Sequence, residues 1–534
     1  NRKVTNMKTP IYDRLKEIKE KDLVSFHMPG HKNGRLFQEL GYKDKIDEFY
    51  SLDTTEIIGT DNLHEASGII LESENEAKRV ILKGLLCGGT KDDIKEDTKS
   101  LKGVQSYEDL DFFYLVNGST SGIEAAISAS LRSGDKIIIN RTCHHSAYNT
   151  CMLNDIEPVF VDEIIDEDFG VFKGASREGY MEAIKQNSDA KAIFITRPSY
   201  YGMVFDIGEI IELAHEKNMV VIVDEAHGAH FGLSDKLPNS ALCYGADIVI
   251  QSIHKSLPAF TQTSILLCQS DLVDRSRLKR TLAIFQSSSP SYIMMMSLEM
   301  AFDIYDRHGK ELMDILLNNI YVFKRNVKKY KIYPTDDPTK IFINTIDNGI
   351  NGYDFAKILR YEYSIQVEMS NYNGILMLCT IGNTKKDFDI MLNALKDFSN
   401  RKLFGANVDF FKDSAVVIGE SRSTDIRSLY HSKKVDLKFP RVSPKSKIRP
   451  RQAFDMESES IDIDDSLGRI CGEFVIPYPP GVCLIGPGEE VSQEVIDYIE
   501  KARNIKIDIN GIESRDFKNI KVLKIGGKAE IGVR

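Results

Sequence analysis

The sequence predicts an α/β protein whose mainly parallel, seven-stranded sheet is flanked by helices. From Asp111 onward, short apolar runs alternate with turn residues and helical stretches, a pattern typical of parallel strands joined by crossover helices. Two runs are continuously apolar and end in polar residues, as in buried strands that deliver side chains to a ligand crevice. The predicted strands are Phe112–Val116, Lys136–Asn140, Pro158–Val161, Ala192–Thr196, Val220–Asp224, Asp247–Ile250 and Ser264–Cys268. The predicted intervening helices include Ser121–Leu131 and Ile207–Lys217.

The region before the sheet is mixed and polar. A first helix is predicted over Ile11–Glu20, followed by two polar strings, His27–Gly34 and Asp53–His64, that have neither helical nor strand periodicity. We interpret both strings as loops, and polar, turn-rich loops often carry function.

The chain divides into four predicted parts. They are an N-terminal arm and dimerisation segment (1–105), a large cofactor-binding domain (106–315), a small α/β domain (316–400) and a C-terminal domain (401–534). Segment 401–465 is charged and irregular, with prolines among Lys445, Lys447, Arg449 and Arg451. Such a basic run favours a solvated surface connection over an anion-binding site.

Composition and charge exclude several classes of protein. The 534 residues carry a formal charge of −10, whereas a nucleic-acid-binding protein needs concentrated positive charge. No apolar stretch reaches the ~18 residues of a membrane helix, so we expect no membrane contact. The eight cysteines form no CxxC pair and no metal-like cluster. We therefore expect reduced thiols, no metal and a cytoplasmic location.

An aspartate and a lysine follow two of the predicted strands. Val220–Asp224 ends in the acid, and the run that ends at Ile250 leads into Gln-Ser-Ile-His-Lys, which closes with Lys255. Both side chains then reach one crevice. This pair suits pyridoxal phosphate, since the lysine can form the Schiff base while the acid pairs with the pyridinium nitrogen. An Asp–Lys ion pair at a sheet edge is the structural alternative.

Two further strings lie where such a cofactor would need them. Asn117–Gly122 follows the first strand and opens a helix, so its amides and hydroxyls could bind a phosphate; an ordinary Ser/Thr helix cap is the alternative. His144, after the second strand, is placed to stack on the cofactor ring. His227, three residues after Asp224, is interpreted as lining the pocket or as a structural residue.

Taken together, the motifs resemble those of the class-I ornithine/lysine/arginine decarboxylases. The strings, in chain order, are HMPGHKNG, DTTEIIGTDNLH, NGSTSG, DEAHGAH, SIHKSLPAFTQTS and PYPPGVCLIGPGE. The resemblance runs from about residue 9 to the end and implies the aspartate-aminotransferase-like fold type I with pyridoxal 5'-phosphate. It is to the short bacterial form, which lacks the N-terminal wing domain of larger members.

The resemblance also implies roles for individual residues. It assigns catalysis to Lys255, His254 and Asp224. It implies a cofactor-binding set of Ser119, Thr120, His144, Asp224, Ala226, His227, Ser252, His254 and Lys255, together with Ser288, which would reach the neighbouring subunit's phosphate. Expected substrate residues are His27, Asp53, Glu56, Glu368 and Glu473.

The expected reaction is decarboxylation of a basic L-amino acid by a homodimer, or a higher homo-oligomer, with a shared active site. Arginine giving agmatine for polyamine biosynthesis is the preferred substrate, with lysine or ornithine, giving cadaverine or putrescine, as alternatives. An aminotransferase of the same fold would hold the substrate carboxylate with an arginine; no recognisable motif supplies one, although Arg360 remains open. A non-catalytic regulatory homologue would not need Lys255, Asp224 and a phosphate site together.

Overall fold

The computed structural model describes most of the chain. The described residues are 24–26, 39–42, 61–85, 108–403, 439–440, 442–478, 481–505 and 507–524. The helix predicted over Ile11–Glu20, the loop His27–Gly34 and the first part of Asp53–His64 lie outside them. Before the sheet, the described part includes strand β1 (Val24–Phe26), a short 3-10 helix (Leu63–Glu65) and helix α1 (Ile69–Leu85).

Asp61 fixes the start of α1. Its carboxylate accepts hydrogen bonds from the backbone N–H groups of Ser67 (2.9 Å), Gly68 (2.7 Å) and Ile70 (3.0 Å). These bonds satisfy N–H groups that a helix start leaves without partners. The same bonds lower the pKa of Asp61 in spite of its partial burial.

The large domain alternates strands and helices as predicted. Its elements are β2 (Asp111–Leu115), α2 (Gly118–Ser130), β3 (Lys136–Asn140), α3 (His145–Leu153), β4 (Glu157–Val161), β5 (Glu163–Asp166), β6 (Val171–Ala175), α4 (Arg177–Gln186), β7 (Ala192–Thr196), α5 (Gly208–Glu216), β8 (Val220–Asp224), β9 (Ile248–Gln251), α6 (Ile253–Ser256), β10 (Ser264–Cys268), α7 (Arg275–Phe285) and α8 (Tyr292–Asn326). The seven predicted strands form one seven-stranded sheet in the order β2-β10-β9-β8-β7-β3-β4.

The sheet is mainly parallel, which confirms the predicted fold class. The exception is β10, which runs antiparallel to both of its neighbours, β2 and β9. This pairing explains two shifted boundaries. Strand β2 begins at Asp111 because that residue pairs with Cys268, and β9 ends at Gln251 because that residue pairs with Ile265.

Both faces of the sheet are buried. In β8, Val220 and Ile222 contribute to one hydrophobic core, while Val221 and Val223 contribute to the other. Successive strand residues point to opposite faces, so a strand between two cores must be apolar at every position. That is why Val220–Asp224 lacks the polar alternation of a half-exposed strand.

The small domain follows α8, which continues through the predicted boundary at residue 316. Its elements are β11 (Lys340–Asn344), α9 (Gly352–Glu362), β12 (Ile365–Val367), β13 (Met369–Ser370), β14 (Gly374–Leu378) and α10 (Lys385–Leu403). Strands β11, β14 and β13 form an antiparallel sheet, and β12 pairs in parallel with β1. The four-part division of the chain stays a prediction.

The C-terminal part has a core of its own. Its elements are α11 (Pro450–Asp455), β15 (Ser458–Asp462), β16 (Ile476–Tyr478), α12 (Gln493–Asn504), β17 (Asp508–Asn510) and β18 (Asn519–Leu523). The end of the segment predicted as irregular therefore contains a helix and a strand. Three of the basic residues there form partly exposed ion pairs: Lys447 with Glu490, Arg449 with Asp155 and Arg451 with Asp455.

Membrane helices, metal sites and cysteine pairing can be assessed for the described residues. No helix among them combines the length and apolarity that crossing a membrane requires. Within those same ranges no group of His, Cys, Asp and Glu is arranged to hold a metal ion. The seven cysteines of the described part are free thiols, and all but Cys243 are buried.

A buried ion pair joins the large domain to the C-terminal domain. The guanidinium of Arg141, just after β3, donates to both carboxylate oxygens of Glu489, at 2.6 and 2.8 Å. It also donates to the carbonyl oxygens of Cys483 (2.9 Å) and Leu484 (3.0 Å) and lies over the Phe160 ring. Both charged side chains are almost fully buried, so each is the main compensation for the other.

We predict that Glu489→Ala lowers the free energy of unfolding by about 3–5 kcal/mol, because it leaves the Arg141 charge buried without a partner. Chemical denaturation measures the loss. Glu490→Ala, which removes the neighbouring, partly exposed carboxylate, should cost less than about 1 kcal/mol. Equal losses in the two variants would contradict the assignment.

Candidate active site

The candidate active site lies at the carboxyl ends of β8 and β9. Asp224 ends β8, is buried, and accepts a hydrogen bond from the N–H of Ala226 at 3.1 Å. Burial raises the pKa of its carboxyl, and the nearby Lys255 opposes that rise. A buried acid whose charge is costly is well suited to pair with a cation.

Lys255 reaches the same crevice from the short helix α6. Its Nζ lies 3.2 Å from Nε2 of His227. Burial lowers the pKa of Lys255, Asp224 and Glu368 oppose this effect, and the charge of Lys340 adds to it. A lysine with a lowered pKa presents more of the neutral, nucleophilic amine near neutral pH.

His254 is a neutral histidine whose tautomer the backbone defines. Its Nδ1 lies 2.8 Å from the carbonyl oxygen of Thr263, so Nδ1–H donates and Nε2 carries the lone pair. Burial lowers the pKa of His254 to about 4. Near neutral pH this ring can accept a proton at Nε2 but holds none there to give.

Three serine hydroxyls meet beside the start of α2. Ser119 Oγ contacts Ser252 Oγ and lies 3.0 Å from Ser264 Oγ, bringing together a helix start, the end of β9 and the start of β10. The Asn117 side chain, at the N-cap position of this helix, makes no capping hydrogen bond. Hydroxyls at a helix N-terminus fit a phosphate group. Thr120, in the same turn, is exposed.

His144 stands at the start of α3. Its Nδ1 lies 2.8 Å from Ser146 Oγ, and its ring lies 4.0 Å from that of His145. The His144 side chain is exposed, so the ring has an open face on which a flat group could stack. Thr142 and Glu163 hold the preceding turn through a 2.5 Å hydrogen bond.

Two of the expected substrate acids have different surroundings. Glu368 accepts a hydrogen bond from the Tyr200 hydroxyl at 2.5 Å and acts electrostatically on Lys255 and His254. Glu473 instead accepts the backbone N–H groups of Glu513 (2.9 Å) and Lys521 (2.8 Å) within the C-terminal domain. Its carboxylate therefore has a structural bonding partner at each oxygen. The other three, His27, Asp53 and Glu56, lie outside the described residues.

The segment that carries Ser288 is held beside α2 of its own chain. Val116 N–H donates to the Gln286 side chain at 2.9 Å, and Ser287 N–H donates to Asn117 Oδ1 at 3.1 Å. Nε2 of His64 lies 2.9 Å from the Ser287 carbonyl oxygen. Ser288 itself is exposed.

Sequence reasoning missed several residues that support this site. Tyr200 bonds Glu368 and packs edge-on against His227, with ring centres 4.9 Å apart. Behind Asp224, the fully buried Glu225 accepts from Ser240 Oγ (2.6 Å) and the Gln251 side chain (2.7 Å). Asp224 and Glu225, the adjacent acids of the DEAH string, therefore have different surroundings. A signal in the sequence for the contacts of Glu225 was Gln251, a polar residue at the end of an apolar strand.

Fold and site together define the class of this protein. It has the mainly parallel, helix-flanked sheet of fold type I, with a partly buried lysine and a buried aspartate at the carboxyl edge of the sheet. Two family models match: "Orn/Lys/Arg decarboxylase, major domain" at residues 103–345, and "Orn/Lys/Arg decarboxylase, C-terminal domain" at residues 432–522. The chain belongs to the ornithine/lysine/arginine decarboxylase family.

Individual relatives match over nearly the whole chain. An arginine decarboxylase of Bacillus subtilis is 29% identical over 530 residues, covering 97% of this chain and 98% of the relative. The uncharacterized protein YaaO of the same organism is 31% identical over 518 residues, covering 95% and 96%. The constitutive lysine decarboxylase of Escherichia coli superposes with a TM-score of 0.72 at 19% identity, covering 97% of this chain and 82% of that one.

The lowered pKa of His254 predicts a pH-dependent contribution to stability. The unfolded histidine binds a proton near pH 6.5, whereas the folded one binds it only near 4, so the unfolded state takes up the proton first as the pH falls. The contribution of His254 to the free energy of unfolding, measured against His254→Gln, should thus be at its full size above about pH 6.5. It should fall by about 2 kcal/mol between pH 7 and pH 5.

Urea unfolding of both proteins across this pH range gives the difference, in which the other titrating groups cancel. A difference that does not vary with pH would contradict the assignment of a neutral, buried His254.

Proposed function

We propose that this protein is a cytoplasmic pyridoxal phosphate-dependent decarboxylase that converts arginine to agmatine for polyamine biosynthesis. The observation that carries the proposal is the arrangement of groups around the Lys255 amine. The amine contacts His227, and the charge of Asp224 acts on it. The serine hydroxyl cluster lies beside it. The arginine decarboxylase relative matches almost end to end and favours arginine. The lysine decarboxylase structure keeps lysine, and with it ornithine, as the second candidate.

The residues present fit pyridoxal phosphate. Ser119, Ser252 and Ser264 would hold the phosphate, Asp224 the pyridinium nitrogen and His144 a ring face, while Lys255 would form the covalent link. Ala226 and His227 would line the pyridine edge, with Thr120 at the rim and the partner copy's Ser288 segment near the phosphate. When bound, the cofactor supplies an electron sink for the pair left at Cα by loss of carbon dioxide.

Lys255 is the better candidate to return a proton to Cα. With its amine free, Lys255 would hold a proton, since Asp224 and Glu368 favour the protonated form. His254 is a poorer donor, because its one ring proton, on Nδ1, is hydrogen-bonded to the Thr263 carbonyl oxygen and its Nε2 carries a lone pair. A general acid must hold a proton at an atom within reach of the reacting carbon. His254 would orient the reacting groups by accepting at Nε2.

Glu368 is the acid best placed to bind the substrate's cationic side chain. It acts on both Lys255 and His254, and Tyr200 fixes its carboxylate through a 2.5 Å hydrogen bond. A fixed carboxylate favours the planar guanidinium of arginine, which benefits from directed hydrogen bonds more than an ammonium does. Glu473 is a weaker candidate because two backbone N–H groups already bond its carboxylate.

Incubation of the pyridoxal phosphate-loaded protein with arginine, lysine and ornithine separately should give agmatine as the dominant amine. Mass spectrometry identifies the product. Lys255→Ala should lose activity by roughly a thousandfold because the reacting amine is gone, whereas Lys236→Ala, a change at an exposed lysine, should not. Cadaverine or putrescine would move the assignment to lysine or ornithine, a keto acid would indicate an aminotransferase, and no turnover a regulatory homologue.

Removing the acid that binds the substrate should weaken binding more than chemistry. Glu368→Gln and Tyr200→Phe are expected to raise KM for the preferred amino acid by about tenfold or more, equal to about 1.4 kcal/mol, with a smaller change in kcat. Tyr361→Phe, at an exposed tyrosine, is the matched control. A fall in kcat at constant KM would contradict substrate binding by Glu368.

A further inference from the structure

A buried charged network lies between the active-site loop after β8 and the small domain. Asp337 of the small domain, fully buried, accepts from Nε2 of His230 at 3.3 Å and from Nζ of Lys340 at 3.4 Å. Thr339 adds its N–H (3.0 Å) and hydroxyl (2.7 Å) to the same carboxylate. The reaction proposed above does not use any of these residues.

The network holds the loop that carries Tyr200. The backbone N–H of Asp337 donates to the carbonyl oxygen of Gly202 at 2.9 Å. Gly202 has φ +85°, and a Cβ there would stand 2.8 Å from Cγ of Lys340. The turn over 199–203 therefore rests directly on the Lys340 side chain.

The same network holds the loop that carries His227. His230 follows it by three residues, in a turn where Gly228 N–H donates to the Glu225 carbonyl oxygen (2.8 Å) and Phe231 N–H to that of Gly228 (3.0 Å). The His227 ring reaches Lys255 through Nε2, and among the described residues its buried Nδ1 has no hydrogen-bond partner. Tyr200 packs edge-on against this ring, and the turn that leads to His230 supports the backbone that carries it.

We propose that Asp337 is a positioning residue that, by anchoring His230, holds His227 against the amine of Lys255. The small domain then sets the reactivity of an amine on the large domain. This role rests on the proposed function only in that Lys255 is taken as the reacting group.

The hydrogen bond from Lys255 to His227 favours the protonated amine. The groups whose charges act on Lys255 are Asp224, Glu368 and Lys340. The rings of His144, His227 and His254 also interact with its charge. Loss of the anchor should therefore lower the pKa of Lys255. Removing Asp337 alone also leaves the Lys340 charge uncompensated, which would act in the same direction, so the two effects must be separated.

The measurement is the pH midpoint for acetylation of Lys255 by acetic anhydride in the full chain without cofactor, followed by peptide mass spectrometry. Asp337→Asn and His230→Gln should each lower this midpoint by about half a pH unit or more. Asp337→Asn should also lower the midpoint in a Lys340→Met background, measured against Lys340→Met alone, because no unpaired Lys340 charge remains there. His227→Phe gives the size of the full effect.

Asp336→Asn is the matched control. This exposed carboxylate is adjacent in sequence to Asp337 and accepts a hydrogen bond from a backbone N–H. The acetylation midpoint of Lys255 should not move in this variant. No lowering of the midpoint by Asp337→Asn in the Lys340→Met background, or no shift in His230→Gln, would overturn the proposal. His230→Gln decides the question by itself if Asp337→Asn does not fold. Since the readout is the amine's own titration, it stands whichever amino acid the enzyme acts on, and a failed decarboxylase assay leaves it intact.

Discussion

The burial of the Lys255 amine is the constraint on which the arrangement of the site depends. An ammonium removed from water is costly unless neighbouring groups compensate it. Here the charges of Asp224, at the end of β8, and of Glu368 compensate it, and Nε2 of His227, on the loop that follows β8, lies 3.2 Å from the amine. The large and small domains must therefore both be in place for the amine to have its surroundings.

Further layers keep these groups where they are. Glu225, beside Asp224, is fixed by Ser240 and Gln251. Arg141 and Glu489 join the C-terminal domain to the turn after β3, three residues before His144. In each case a buried charge has several hydrogen bonds of good geometry, the condition under which such charges are tolerated in a protein interior.

Much of the fold was predictable from the sequence because the strands are buried on both faces. Continuous apolar runs such as Val220–Val223 cannot be confused with exposed loops, and the polar residue that ends each run marks the functional edge of the sheet. The strand ends were less predictable, since Asp111 and Gln251 belong to the sheet only through their antiparallel partners. Asp224 and Lys255 could be proposed because each follows a strand directly. Tyr200, Asp337 and Ser264 could not, since their importance comes from contacts across more than a hundred residues of sequence.

The position of β10 beside β2 has a consequence for synthesis on the ribosome. Strand β2 lies at the edge of the sheet, and β10 is its one neighbour among the strands that the structure describes. Ser119 and Ser264, which meet in the hydroxyl cluster, are 145 residues apart. The first serine of this cluster therefore leaves the ribosome long before its partners, and β2 must wait for β10 to enter the sheet. Strand β1 waits longer still, for Ile365–Val367. Because closing such distant contacts is slow, the cluster of serine hydroxyls is completed late in folding, after most of the parallel sheet can already have formed.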